Sequence, residues 1–178
     1  MARRNYIVVF LLVGTILIVG ACSVITTRGL LLKGEASMDR NEYREALAYF
    51  DRALTVDPEN PEVHYARGIA LYRLTRDGDA VSEFTAAILL DPEYSWAYYS
   101  RGLAHKRMGN VDGALADFSD ALKYAPKTQE FYYSRAMLYR ELGKIDEALS
   151  DFVSACDFGN RDACFEIKRL QERKMESR

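Results

Sequence analysis

Apolar side chains recur along residues 27–162 at helical spacing, in two alternating stripes that repeat every 34 residues. Positions 4, 8 and 11 of each unit fall on one face of a first helix, here called helix A. Positions 17, 20, 21, 24, 27 and 28 fall on one face of a second, helix B. Copies begin at residues 27, 61, 95 and 129 with no insertion or deletion. Since one helix pair cannot bury its own apolar face, the pattern predicts pairs stacked into a solenoid.

Four columns of the unit hold the same kind of residue in every copy. Position 8 is Gly or Ala, positions 20 and 27 are Ala, and position 24 is Phe. Small residues at 8 and 20 allow helices A and B to approach closely, and the Phe ring is expected to fill the remaining space. The columns consist of Gly34, Gly68, Gly102 and Ala136; Ala46, Ala80, Ala114 and Ala148; Phe50, Phe84, Phe118 and Phe152; and Ala53, Ala87, Ala121 and Ala155.

The turn between helices A and B needs a residue that accepts the left-handed backbone conformation. Gly109 and Gly143 supply it readily, and Asn41 supplies it tolerably. The second unit has Thr75 at this place and a glycine only at Gly78, so its turn is expected to be irregular. Proline at position 32, present in the first three units, is expected to stop helix B.

These columns, in strict register over 136 residues, resemble the tetratricopeptide repeat. The resemblance implies an all-α protein, an α-solenoid of four helix–turn–helix repeats closed by a C-terminal capping helix. Ala163, Ile167 and Leu170 give that last helix an apolar stripe, and its other faces are charged. The expected boundaries are 27–60, 61–94, 95–128 and 129–162 for the repeats and 163–178 for the capping helix and tail.

The first 25 residues lack the repeat pattern and look like a membrane signal. Arg3 and Arg4 precede an apolar run over 6–19, which has signal-peptide length and falls short of the roughly 20 residues of a spanning helix. The run ends in Val-Gly-Ala-Cys, which resembles the bacterial lipobox. The resemblance implies that 1–21 is a signal peptide and that 22–26 carries a lipid on Cys22 followed by a short linker. An uncleaved anchor, with the apolar run extended through Ile25, and ordinary cleaved secretion are the alternatives.

A lipid on Cys22 would leave the repeats membrane-anchored and outside the cytoplasm, in a bacterial cell envelope. Ser23, rather than Asp, follows the cysteine, which resembles sorting to the outer membrane where a second membrane exists. The two N-terminal arginines agree with this orientation through the positive-inside bias.

In tetratricopeptide proteins, helix A positions 2, 5, 9 and 12 face a concave groove. The resemblance therefore implies a partner-binding groove with an aromatic and aliphatic floor and with basic residues toward its C-terminal half, suited to a protein or peptide. The expected groove residues are Leu31, Tyr65, Ile69, Tyr72, Trp96, Tyr99, Leu103, Lys106, Tyr133, Met137 and Arg140. The alternative is that the position 5 tyrosines partly pack against neighbouring repeats.

One known use of such grooves is excluded by the residues present. Domains that clamp the C-terminal carboxylates of a chaperone use Lys and Asn on successive A helices. The matching positions in this chain are Leu31, Glu35, Ala66, Trp96 and Ser100. None of these side chains can hold a carboxylate as that clamp does, so the clamp is absent.

Position 7 carries a cation in every unit and position 23 carries an acid in three of them. The pairs are Arg67 with Glu83, Arg101 with Asp117 and Arg135 with Asp151, whereas the first unit has Lys33 and Tyr49. We expect these charges to pair between helices A and B, within or between adjacent repeats, and to serve packing. An arginine row that binds an anionic ligand is the alternative.

The composition and the motifs of the chain mainly exclude classes of function. The net charge is −2 and no basic cluster precedes the C-terminal tail, so nucleic acid is not expected as a partner. No P-loop, dinucleotide-binding or metalloprotease motif is present, and no nucleophile has a base at readable spacing. His64 and His105 stand on core stripes and are expected to be half-buried packing residues. We therefore expect no enzyme activity, no cofactor and no metal.

Cys156 and Cys164 stand at the junction between the fourth repeat and the capping helix. Their two helix ends are expected to be antiparallel neighbours, which makes a disulfide geometrically feasible, and the spacing resembles the helix-linking disulfides of Sel1-like repeat proteins. An exported chain would meet oxidising conditions. The alternative is that Cys156 is a small core residue and Cys164 a free thiol.

Together these features predict a membrane-tethered adaptor that binds a partner protein or peptide in its concave groove and scaffolds a cell-envelope complex. A structural envelope component that assembles with itself, without a dedicated peptide ligand, is the alternative.

Overall fold

The computed structural model describes residues 26–176, with side chains up to residue 172. The predicted signal peptide and Cys22 lie outside the described residues. The described chain is helical, with short connections and no strand. Its helices are α1 (26–39), α2 (Tyr43–Val56), α3 (Pro61–Arg73), α4 (Asp77–Leu90), α5 (Ser95–Arg107), α6 (Val111–Tyr124), α7 (Gln129–Glu141), α8 (Ile145–Asp157) and α9 (Arg161–Glu176).

The helices pack as consecutive pairs. α1, α3, α5 and α7 are the A helices, and α2, α4, α6 and α8 are the B helices that follow them. α2, α4 and α6 contact the A helix of the next pair, and α8 contacts α9. Within the pairs, α4, α6 and α8 contact their own A helices, and α2 meets α1 where Phe50 packs on Gly34, so the core is one continuous layer. The all-α solenoid of tetratricopeptide-like helix pairs that the sequence predicts is confirmed.

The close approach within each pair depends on the Gly and Phe columns. Phe50, Phe84, Phe118 and Phe152 are fully buried. A Cβ atom placed on Gly102 would lie 2.8 Å from Phe118 Cε1, a distance at which two carbon atoms overlap. The ring therefore occupies the space that a side chain at position 8 would need. The predicted role of these two columns is confirmed.

The turns between helices A and B are alike in all four repeats. Asn41, Thr75, Gly109 and Gly143 all have positive φ, at 60°, 60°, 79° and 73°. The prediction of an irregular turn in the second repeat is wrong. Thr75 N donates to Tyr72 O at 3.0 Å and Arg76 N donates to Leu71 O at 3.0 Å. These bonds close the end of α3 and hold Thr75 in a conformation that a β-branched residue rarely adopts.

The C-terminal helix begins two residues earlier than expected. α9 starts at Arg161, because the Asn160 side chain accepts a hydrogen bond from Ala163 N at 2.9 Å and caps the helix. Ala163 and Leu170 are buried and Ile167 packs beside them against α8, as the apolar stripe predicts.

Cys156 of α8 and Cys164 of α9 form a disulfide, with Cα atoms 5.1 Å apart. It links the last repeat covalently to the helix that covers it. Among the described residues, no helix is both long and apolar enough to span a membrane.

Candidate partner-binding groove

The A helices line a groove that begins at the N-terminal helix pairs. A pocket of about 780 Å³, here called the N-terminal pocket, lies between α1 and α3 and extends to Tyr94 in the loop before α5. Its apolar lining includes Leu31, Met38, Tyr65 and Ile69. Leu31, Tyr65 and Ile69 are expected groove residues, and the structure brings them together.

A second pocket of about 320 Å³, the central pocket, continues from the first. Tyr65, Ile69 and Arg73 line both, so the two form one groove. The central pocket adds the expected groove residues Tyr72, Trp96, Tyr99 and Leu103.

Trp96 is the most accessible aromatic residue of this groove, with 42% of its surface exposed. Its ring meets Phe131 edge-on with centroids 4.8 Å apart and Tyr99 edge-on at 5.7 Å. A side chain that is held by two rings and still open on another side is a good contact for a partner, because binding would cost it little conformational entropy.

The position 5 tyrosines connect adjacent repeats as well as lining the groove. The hydroxyl of Tyr99 lies 2.9 Å from Ser134 Oγ of the next repeat, and its ring stacks on Phe131 at 4.7 Å. Tyr65 lies 4.9 Å from the Tyr94 ring. Burial raises the pKa of the Tyr65 hydroxyl, an effect that its hydrogen bond with Ser100 opposes. These tyrosines thus pack against neighbouring repeats, as the alternative interpretation expected, and still line the groove.

Tyr72 is held in place by the repeat that follows. The guanidinium carbon of Arg107 lies 3.6 Å above the Tyr72 ring, and Arg107 Nη2 donates to Tyr72 O at 2.6 Å. Arg107 also pairs with Asp77. One face of the tyrosine is therefore covered by a cation that the sequence analysis did not associate with the groove.

The basic residues expected in the C-terminal half of the groove are internally paired. Lys106 Nζ lies 2.8 Å from Glu141 Oε1, and Arg140 Nη1 lies 2.5 Å from Glu166 Oε2 on α9. Tyr133 and Met137 are half-buried against the cluster that includes α8 and α9. This half therefore offers a partner less free positive charge than its sequence indicates, because α9 and the neighbouring repeat supply the carboxylates.

The N-terminal pocket carries the opposite charge. Glu35, Asp39 and Glu62 line it, against a single cation, Arg73. None of these four takes part in an ion pair with another described side chain. Burial raises the pKa of the Tyr94 hydroxyl at the pocket wall, and neighbouring Tyr65 and acids that include Glu62 add to the rise.

A small side pocket of about 110 Å³ shares Leu31 and Glu62 with the N-terminal pocket. Thr27 lines it and is 2% exposed, and its Oγ1 is buried without a hydrogen-bond partner among the described residues. Asp57, Asn60 and Arg28 complete the lining. Sequence reasoning missed this pocket, because its residues come from α1, from the loop between α2 and α3 and from the first turn of α3.

Other groove residues were missed for a similar reason. Asp39 and Arg73 occupy position 13, one residue beyond the expected columns, and Tyr94 lies in the loop before α5. The charges of Asp39 and Arg73 in the position 13 column were a signal from which the sequence could have placed them in the groove. Their closeness to the apolar floor depends on how adjacent repeats are rotated against each other.

The arginine and acid columns pair as expected. Arg101 Nη2 lies 2.7 Å from Asp117 Oδ1, and Arg135 Nε lies 2.7 Å from Asp151 Oδ2. Arg67 Nη1 lies 2.5 Å from Glu83 Oε1. These arginines lie between helices, partly buried, and each bonds to oxygen atoms of two helices, which favours the packing role over an anion site.

The two histidines are half-buried, and both have polar neighbours. His64 Nδ1 lies 2.8 Å from Glu83 Oε2, and His64 Nε2 lies 3.0 Å from Pro58 O. His105 Nδ1 lies 3.3 Å from Asn110 Nδ2. Both rings stand outside the described pockets and serve the helix interfaces. Within the described part of the chain, no group of three or more His, Cys, Asp or Glu could hold a metal ion.

Comparison with known proteins agrees with this architecture. The TPR repeat family matches residues 34–74 and the tetratricopeptide repeat family matches residues 99–163. None of the curated proteins matches the chain significantly.

Three solved structures illustrate the likeness. A crystal structure of MamA is 26% identical, covers 78% of this chain and 81% of its own, and has a TM-score of 0.71. MamA 41-end from Desulfovibrio magneticus RS-1 is 21% identical, and the match covers 84% of this chain and 85% of that one, with a TM-score of 0.73. The first TPR of Spaghetti (RPAP3), bound to the HSP90 peptide SRMEEVD, is 25% identical. The match covers 66% of this chain and 94% of that one, with a TM-score of 0.64.

The helix pairs of the structure and the two family matches indicate the same repeat fold. The chain contains tetratricopeptide repeats, a scaffold class associated with protein–protein interaction.

Proposed function

We propose that this protein is a membrane-tethered adaptor that binds a partner protein or peptide in the groove of its A helices and scaffolds a cell-envelope complex. The observation that carries the binding proposal is the continuous groove formed by the N-terminal and central pockets. It is concave, has an apolar floor and exposes Trp96. An extended segment or an amphipathic helix fits a groove of this kind.

Support for a peptide ligand comes from a structural neighbour. The first TPR of Spaghetti (RPAP3) is bound to an HSP90 peptide. That peptide is rich in acids, whereas the groove of this chain has Leu31, Glu35 and Trp96 where a carboxylate clamp would need Lys and Asn. The ligand proposed for this chain is therefore a peptide of different chemistry.

The tethering proposal rests on the N-terminal sequence alone. Only residues 23–26 would separate a lipid on Cys22 from the first repeat, a span of at most about 14 Å if extended. The groove would then operate close to the membrane surface. Intact mass of protein purified from membranes tests this, with Cys22→Ser as the control. Retention of residues 1–21 would favour the uncleaved anchor, and an unlipidated soluble chain would favour simple secretion.

The binding proposal is tested by crosslinking in membranes and recovery of partners. Trp96→Ala is the informative change, because Trp96 is exposed in the groove, whereas the position 5 tyrosines also join repeats. Leu89→Ala is the matched control, since Leu89 is 77% exposed on a B helix. We expect Trp96→Ala to lose a partner that the wild type and Leu89→Ala retain. Equal recovery from all three would contradict binding through the groove.

The alternative, a self-assembling envelope component, makes a different prediction. Sedimentation of the purified full chain would then show oligomers that grow with concentration. An adaptor is expected to sediment as one species over the same range.

A further inference from the structure

The N-terminal pocket combines an apolar floor with negative charge. Leu31, Met38 and Ile69 supply apolar surface, while Glu35 and Glu62 stand exposed at its wall. Asp39 adds a third carboxylate, and Arg73 is the only cation of the lining. These acids have no ion-pair partner among the described side chains, unlike Glu141 and Glu166 farther along the groove.

The side pocket beside it independently indicates a missing polar ligand. Thr27 Oγ1 is buried there without a hydrogen-bond partner among the described residues. A buried hydroxyl without a partner costs free energy, and a donor from a ligand would remove that cost. Asp57 and Glu62 give the same pocket two carboxylates against one cation, Arg28, so a cationic donor suits it better than an anionic one. Its volume of about 110 Å³ has room for the end of one long side chain.

We propose that the N-terminal pocket binds an apolar segment of another protein that carries Lys or Arg side chains. Apolar residues of the segment cover Leu31, Met38 and Ile69, and its cations face Glu35, Asp39 and Glu62. One of its Lys or Arg side chains enters the side pocket of Thr27. This inference rests on the proposed peptide-binding function and specifies the chemistry of the ligand.

Charge complementarity decides between possible occupants. An acidic segment would face three unpaired carboxylates, and like charges in an interface oppose binding. A neutral apolar segment would cover the floor and leave the carboxylates partly desolvated without partners. A cationic amphipathic segment both covers the floor and pairs the acids.

The test uses the full chain in neutral detergent and three synthetic peptides. All three share the same Leu positions of an amphipathic pattern, and their polar positions are all Lys, all Ser or all Glu. Trp96 is the only tryptophan of the chain and lies in the adjoining central pocket, so its fluorescence reports binding, and calorimetry gives the affinity. Self-association is followed by sedimentation with and without peptide.

The variant is the triple neutralisation Glu35→Gln, Asp39→Asn and Glu62→Gln. Its control removes the same number of charges elsewhere, through Asp112→Asn, Glu147→Gln and Glu172→Gln, all exposed and outside the described groove. Each exposed carboxylate contributes modestly, so we expect the triple variant to weaken binding of the Lys peptide by about tenfold at low salt. The control is expected to bind as the wild type does, and Thr27→Val to weaken the Lys peptide more than the Ser peptide.

The outcomes separate the inference from the function on which it rests. Binding in the order Lys, Ser, Glu, with loss in the triple variant and at high salt, supports it. Binding that is indifferent to charge, or strongest for the Glu peptide, overturns the inference and leaves peptide binding intact. No binding of any peptide counts against both. In a chain that retains residues 1–21, a Lys peptide that binds only after Arg3→Gln and Arg4→Gln would overturn the inference and assign the pocket to the N-terminal segment of this chain. Oligomers that the Lys peptide dissociates would overturn it and assign the pocket to a second copy.

Discussion

Arg101 and Asp117 form a two-point ion pair between helices α5 and α6, with Nη2 2.7 Å from Oδ1 and Nε 3.0 Å from Oδ2. Arg101 Nη1 also donates to Thr85 Oγ1 at 3.0 Å, on the B helix of the preceding repeat. Arg135 repeats the arrangement with Asp151 and Ser119. One guanidinium thus fastens its own helix pair and the pair before it, every 34 residues.

Breaking this pair is expected to cost more than breaking an exposed one. Asp117 is 4% exposed, and its other basic neighbour, His105 Nε2, lies 3.9 Å away. Arg101→Ala therefore leaves a buried carboxylate without its two-point partner and should lower the free energy of unfolding by about 3 kcal/mol. Arg76→Ala, which removes the exposed pair with Asp79, should cost about 0.5 kcal/mol. Urea denaturation of the full chain measures both.

The double variant Arg101→Ala/Asp117→Ala provides the second arm of that experiment. Because the unpaired charge is gone, it should be more stable than Arg101→Ala alone. Equal losses from Arg101→Ala and Arg76→Ala would show that the buried pair has no special role in packing.

Thr75 carries backbone strain that glycine would relieve. Its φ of 60° is unfavourable for a β-branched residue, and the same turn position is glycine in the third and fourth repeats. We expect Thr75→Gly to raise the free energy of unfolding by about 1 kcal/mol. Asn41→Gly is the comparison, with a smaller gain, since Asn tolerates this conformation. A loss of stability in Thr75→Gly would contradict the assigned turn.

The disulfide is expected to hold the capping helix to the last repeat. Replacing both Cys156 and Cys164 with Ser should lower stability by about 2.5 kcal/mol, the loop-entropy value for residues eight apart. The loss should be local, with faster hydrogen exchange in α9 and little change in α3. Two free thiols in unreduced, denatured protein would show that the bond does not form.

Alkaline titration should reveal the buried groove tyrosines. Burial raises the pKa of Tyr65, Tyr94 and Tyr99 above the ordinary value of 10.0. A raised pKa means that the folded state disfavours the phenolate, so stability is unchanged below pH 10.0 and falls as pH rises above it. Phenolate absorbance should therefore appear in two phases, the second coinciding with unfolding. A single phase centred on the ordinary value would contradict the burial of these hydroxyls.

The sequence determined the scaffold because its constraints are local and repeated four times. A glycine at position 8 predicts a large residue at position 24, because the Phe118 ring fills the space beside Gly102 that a side chain there would need. The spacing of Arg101 and Asp117 likewise implied a pair between helices A and B. The candidate cysteine pair could be named because only two cysteines follow Cys22.

Tertiary structure decided which of these side chains remain available to a partner. Lys106 and Arg140 look like free groove cations in the sequence, but Glu141 and Glu166, each at least 26 residues away, neutralise them. Thr75 takes a glycine-like conformation that only the packed turn imposes. The acidic N-terminal pocket lies between α1 and α3, and the unpartnered Thr27 hydroxyl lies where α1 meets the loop before α3. Both depend on how stacked repeats are rotated against each other rather than on any single column.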